Sequence, residues 1–142
     1  MRRQSDEVER SISAVKIQKS LHYSIIDGVF FTIMLSSGER FFVPFALMLG
    51  ASYFDVGLVV ALPLLFGSLS QLFSTHLIEK INSRKKVVMG GVFLQALMFA
   101  PMILLYFSPL HPVYLFIGLT ICYWICGHIV APAWNSWMGD LV

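Results

Sequence analysis

The chain has 142 residues, 57% of them hydrophobic and 13% charged, with a formal net charge of +2. A soluble domain averages about 25% charged residues, and one small core leaves too much of a chain this size in water to hide so much apolar surface. This composition excludes an ordinary water-soluble domain, makes the lipid bilayer the expected partner and gives no reason to expect nucleic acid.

The leader, residues 1–24, is polar. Acids (Asp6, Glu7, Glu9) come early and Lys16 and Lys19 come late, which matches the helix dipole, while Val8, Ile12 and Val15 recur at helical spacing. That pattern predicts a short amphipathic helix on the cytoplasmic membrane surface. No cleavable signal peptide is read here, because the apolar run that begins near Ile25 is too long for a signal core.

Four apolar runs follow, expected as spanning helices at about 25–49, 56–76, 87–107 and 113–135. Residues 56–75 and 87–107 carry no charge, and 113–133 carry none with His128 neutral. Runs of about 20 residues match a ~30 Å hydrocarbon core. Unbroken apolarity, without alternation, excludes barrel strands. The fold class is therefore an all-α, polytopic transmembrane bundle over residues 25–142.

The first run is marginal. It contains Glu39 and Arg40, each costing roughly 2.5–3.5 kcal/mol on an insertion scale, against gains of about 0.3–0.6 kcal/mol per Leu, Ile, Phe or Val. Thirteen such residues lie between Ile25 and Leu49, so the sum is near zero and the helix needs neighbours. The cations decide that it spans. Arg2, Arg3, Arg10, Lys16 and Lys19 precede it, and Lys80, Arg84, Lys85 and Lys86 follow the second run, whereas the connectors near 50–55 and 108–112 hold no Lys or Arg. With all four runs spanning, nine of the ten cations share one side, expected to be the cytoplasm. Both ends are then cytoplasmic.

Short connectors make successive helices antiparallel neighbours. Gly50-Ala51-Ser52 closes the first span, and Ser52 or Asp55 can cap the second. Ser108-Pro109 and Pro112 bracket the turn before the fourth. Pro63 and Pro101 fall inside spans. Small residues in the second and third (Gly57, Ala61, Gly67, Ser68, Ser70, Gly90, Gly91) favour close helix approach. Cys122 and Cys126, four apart on one helix, are read as packing residues.

Glu39 and Arg40 are the sharpest candidates for function, since an intramembrane charge must face protein or a water-filled cavity. Thr32, Ser36 and Glu39, at i, i+4 and i+7, predict a polar stripe on the first helix. Neighbouring residues point about 100° apart on a helix, so each charge is expected to find its partner elsewhere. Thr120, Trp124 and His128, then Trp134 and Asn135, form a stripe on the fourth. Glu39, Arg40, Ser36, Trp124 and His128 are the candidates for solute contact or coupling. No phosphate loop, metal-ligand cluster or nucleophile triad is present, so neither an enzyme nor a cofactor is expected.

The second cytoplasmic connector, Thr75-His76-Leu77-Ile78-Glu79-Lys80-Ile81-Asn82-Ser83-Arg84-Lys85, resembles the loop signature of the major facilitator superfamily. Glu79 stands where that family has Asp, Lys80, Arg84 and Lys85 match its basic positions, and Thr75 and Asn82 replace glycines. Asn tolerates the left-handed backbone of a turn glycine. Asp27-Gly28, Glu39-Arg40 and the stretch from Ala131 to Asp140 also look like a bacterial subgroup of the superfamily. The resemblance implies that Glu79, Lys80, Arg84 and Lys85 form a conformational latch. Where proton-coupled antiporters of the family often carry Arg, four residues before a fourth-helix glycine, this chain has Tyr123 before Gly127.

The expected function is that of a fragment of a secondary active transporter, moving a small-molecule solute by alternating access and completed by C-terminal helices that follow these four. The alternative is a complete four-helix protein serving as a structural or regulatory subunit beside partner helices.

Overall fold

The computed structural model describes the backbone of residues 2–109 and 112–139 and, within them, the side chains of Val15 and of Ile17 onward. The expected amphipathic face at Val8 and Ile12, and Asp140, lie outside the described side chains. Among the described residues all regular structure is helical: α1 (Arg2–Ser37), a 3₁₀ turn (Glu39–Phe41), α2 (Phe42–Met48), α3 (Tyr53–Gln71), α4 (Ser74–Ile81), α5 (Arg84–Leu97), α6 (Phe99–Tyr106) and α7 (Val113–Gly139). Four stretches are long and apolar enough to cross a membrane: Ile17–Met48, Tyr53–Gln71, Arg84–Tyr106 and Val113–Gly139. These mark an integral membrane protein.

The leader and the first span form one helix, because α1 runs without interruption from Arg2 into the apolar run. Uninterrupted spans are expected at 25–49 and 87–107, yet the structure breaks both. The first breaks at Gly38, with φ −111° and ψ −75°. Pro44 has no N–H for the carbonyl of Arg40, and its ring crowds that carbonyl. The chain therefore tightens, the Phe41 N–H donating to the Gly38 carbonyl at 3.0 Å, before α2 begins. The third breaks at Met98 for the same reason: Pro101 cannot donate to the carbonyl of Leu97. The Met98 N–H is instead shared between the carbonyls of Leu94 and Gln95, at 3.3 and 3.2 Å. The second span also divides, α3 ending at Gln71 and α4 starting at Ser74.

The termini follow local chemistry. Ser52 and Asp55 act together as a capping box: the Asp55 carboxylate accepts from the Ser52 N–H at 2.9 Å and from its hydroxyl at 2.7 Å, while the Asp55 N–H donates back to the hydroxyl. Gly50 adopts φ +87° where the first span turns into the second. Asn82 takes the left-handed conformation, φ 51° and ψ 32°, at the C-terminus of α4, so the turn that a glycine would make is made by asparagine.

The core lies towards the 50–55 connector. Phe42, Ala46 and Leu49 of α2 pack with Val59, Met102, Leu105, Phe116, Ile117 and Tyr123. The rest of the first span lies outside it: only 11% of its most apolar window is buried, against 28% for α3 and α7.

Association in lipid lacks a hydrophobic drive and depends on close packing and hydrogen bonds between helices. The α7 seams supply both. Ser70 and Ser74 donate to the carbonyls of Ile125 and Ile129, at 3.3 and 2.7 Å. Gly67 lies against the His128 ring, Gly91 against Val130 and Gly127 against Gln95, whereas Gly57 and Gly90 face open space. A methyl at position 91 collides with Val130. Overpacking of this kind costs roughly 1–3 kcal/mol. Gly91→Ala should therefore lower the thermal stability of the detergent-solubilised chain, and adding Val130→Ala should restore part of it. Gly90→Ala should leave stability unchanged or raise it by up to about 1 kcal/mol.

Candidate functional site

The break at Gly38 sets the site. Gly38 presses against Phe99: a Cβ there would stand 2.8 Å from the Phe99 Cζ. The 3₁₀ turn that follows directs Glu39 into the bundle, half-buried, and leaves Arg40 exposed. Across the bundle the Tyr123 hydroxyl of α7 donates to Glu39 Oε1 at 2.9 Å. Tyr123 is fully buried, and the buried Gln95 side chain of α5 is the second polar neighbour of its hydroxyl. Gly127 makes room for Gln95, since a Cβ there would sit 2.6 Å from the Gln95 Nε2. Three spans thus meet at one phenol.

Aromatic rings fix that phenol. Phe42 and Phe99 each meet the Tyr123 ring edge to face, with centroids 5.2 Å away. Phe116 meets Phe42 edge to face at 6.0 Å. Such pairs contribute about 0.5–1.5 kcal/mol beyond their area. They hold the hydroxyl towards Glu39. Beside them lies a groove of about 160 Å³, lined by Ser37, Gly38, Phe41, Phe42, Phe45, Phe99, Met102, Ile103 and Phe116.

The other candidates fall elsewhere. The stripe expected on the first helix does not converge on Glu39. Thr32 and Ser37 donate to carbonyls of their own helix, Gly28 at 2.8 Å and Ile33 at 2.6 Å, and Thr32, Ser36 and Ser37 are all exposed. Trp124 and His128 are in ring contact, 5.2 Å between centroids. Nδ1 of His128 lies 3.0 Å from the Gln71 amide nitrogen of α3. His128 faces α3, through Gly67 and Gln71, rather than Glu39, while Trp124 packs against the core cluster that holds Phe42 and Tyr123. Among the described residues Glu39 pairs with no Lys, Arg or His, Arg40 included. Glu79, Lys80 and Lys85 are exposed and Arg84 is half-buried, all at the α4–α5 turn. Cys122 and Cys126 are free thiols.

In the sequence Glu39 stands out as an intramembrane charge, Tyr123 only as a departure from the superfamily's arginine, and Gln95 not at all. The available signal was polarity inside an apolar run: Gln95 is the sole amide in residues 87–107.

This chain matches no family model, and no curated protein or solved structure matches it at a significant level.

Two variants separate a carboxylate that needs a donor from one that merely lies near it. Tyr123→Phe deletes the donor and leaves a half-buried acid unpaired, an imbalance that costs about 1–3 kcal/mol. Glu39→Gln keeps an acceptor for the phenol and removes the charge, so its loss should be smaller. Thermal unfolding in detergent should rank Tyr123→Phe below Glu39→Gln.

Proposed function

We propose that this chain forms part of a secondary active transporter of the major facilitator kind, moving a small solute by alternating access. One observation carries the reading: a carboxylate at membrane depth, at a break in the first span, held by a neutral phenol from the fourth. Ionisable groups inside spans are costly, and pathways for ions and solutes are where they recur. Broken helices at mid-membrane are a recurrent device of transporters. Here the break divides a lightly packed α1 from an α2 locked in the core, so Gly38 is the natural pivot.

In this reading Glu39 exchanges the Tyr123 hydroxyl for a solute or coupling ion as α1 moves. The basic α4–α5 turn lies on the cytoplasmic side, and Glu79, Lys80, Arg84 and Lys85 engage a facing segment there. The chain is a transport component and not an enzyme. A structural or regulatory subunit is the second reading. It rests on the lightly packed α1, whose exposed apolar side chains, among them Ile25, Phe30 and Phe31 at 67%, 67% and 55% exposure, accept lipid or neighbouring helices alike.

Membrane vesicles from cells expressing the gene, loaded with a pH-sensitive dye and screened across sugars, amines and carboxylates, test the proposal. A solute-dependent flux is expected, reduced by at least about tenfold in Glu39→Gln, which corresponds to about 1.4 kcal/mol. Flux unchanged in Glu39→Gln removes this residue from transport, and the absence of any solute-dependent flux supports the subunit reading.

A further inference from the structure

α5 has two sides. Gly91 and Gln95 turn towards α7, where Val130 and Gly127 receive them. The other side is open. Lys86, Met89, Phe93 and Leu97, at i, i+3, i+7 and i+11, share one helix face there, and all four are exposed. Beside them a Cβ added at Gly90 would meet nothing within 4 Å. We propose that this face binds an anionic glycerophospholipid, with its phosphate at Lys85 and Lys86 and one acyl chain along Met89, Phe93 and Leu97. The proposal uses neither Glu39 nor Tyr123, and it holds for a transporter and a subunit alike.

Length, charge and the surrounding medium select this partner. From Lys86 to Leu97 the face advances 11 residues, about 16 Å of helix. The hydrocarbon of one leaflet is about 15 Å deep, and α5 ends at Leu97, where the span breaks. The face thus has the reach of one acyl chain. Charge marks its polar end. Residues 79–86 hold four cations against one acid, Glu79, and the first turn of α5 contains no acid. Lys85 and Lys86 are exposed, and lysine stems lie along apolar surface while the ammonium stays at the polar boundary. Each lysine beside a bilayer surface favours an anionic headgroup by about fivefold. The positive end of the α5 dipole acts in the same sense. The medium decides between lipid and protein. Met89, Phe93 and Leu97 gain no more from another helix than from an acyl chain, so the apolar part alone selects nothing. The lysines select, and lipid brings the matching anion to their depth.

The test places the chain, carbon-13 labelled in its methionine methyls, in phosphatidylcholine nanodiscs. Phosphatidylglycerol or phosphatidylcholine carrying the same nitroxide-bearing acyl chain is titrated in as a minor component. Broadening of the Met89 methyl reports the probe at α5, and Met48, exposed on α2, is the reference. The phosphatidylglycerol probe is expected to broaden Met89 at about tenfold lower content than the phosphatidylcholine probe, with Met48 broadened equally by both. Combining Lys85→Gln with Lys86→Gln should abolish that preference. Lys85→Arg with Lys86→Arg, which keeps the charge, should keep it. So should Lys16→Gln with Lys19→Gln, which removes the same charge from α1. An unmoved methyl of the buried Met102 reports that each variant is folded. Equal broadening of Met89 by the two probes in the wild type overturns the proposal, and so does a preference that survives Lys85→Gln with Lys86→Gln. Loss of the preference in the arginine or the α1 variant overturns it as well. A Met89 methyl that neither probe broadens is covered by another helix or a second copy, and that result also overturns it.

Discussion

A carboxylate placed in hydrocarbon must find a donor or lose its charge, and in this chain one phenol, Tyr123, meets that demand for Glu39. Much of the architecture serves this bond. Gly38 and Pro44 break the first span so that Glu39 turns inward and Arg40 outward. Phe42 and Phe99 hold the phenol ring edge to face, and Gly127 yields the space that Gln95 fills beside the hydroxyl. Removing the break would return Glu39 to a regular helix, displaced from the register that reaches α7.

The rest of the bundle follows from the weakness of apolar attraction in lipid. Leucines and phenylalanines exposed along α1, α3 and α6 need no internal partner there, because lipid tails solvate them as well as protein does. Specific contacts accordingly fall on small and hydroxyl-bearing residues: Ser70 and Ser74 on the carbonyls of α7, Gly67 under His128, Gly91 under Val130. α7 is the hub because it receives α3 and α4 on one side and α5 and α6 on another. Among the described residues the first span meets that hub through α2 and Glu39, and its most apolar window is the least buried of the four spans.

The parts of the fold legible in the sequence are those fixed by short-range chemistry. Run length and freedom from charge locate three of the spans, and the placement of the cations locates the first. Ser52 and Asp55 read as caps and form a reciprocal capping box, and Asn82 takes the left-handed turn for which its side chain is suited. The breaks are less legible, because the apolar pattern continues through Glu39 and Met98 as it would in an unbroken helix. Pro44 and Pro101 were the local signals, each denying a donor to the carbonyl four residues earlier. The same assumption produced the Thr32–Ser36–Glu39 stripe, which the hydroxyl bonds of Thr32 and Ser37 to their own helix and the 3₁₀ turn dissolve. The partner of Glu39 was not legible at all, since it lies 84 residues away and only the packing of α2 and α6 on α7 brings it near.

This architecture requires Glu39 and Tyr123 to meet in a lipid environment. Solid-state NMR of the chain in nanodiscs, with carbon-13 in its glutamate and tyrosine side chains, observes that contact directly. A through-space cross-peak between the Glu39 carboxyl carbon and the Tyr123 Cζ, lost in Tyr123→Phe, is the predicted result. A Glu39 carboxyl that correlates with water alone, and is unchanged in Tyr123→Phe, would contradict it.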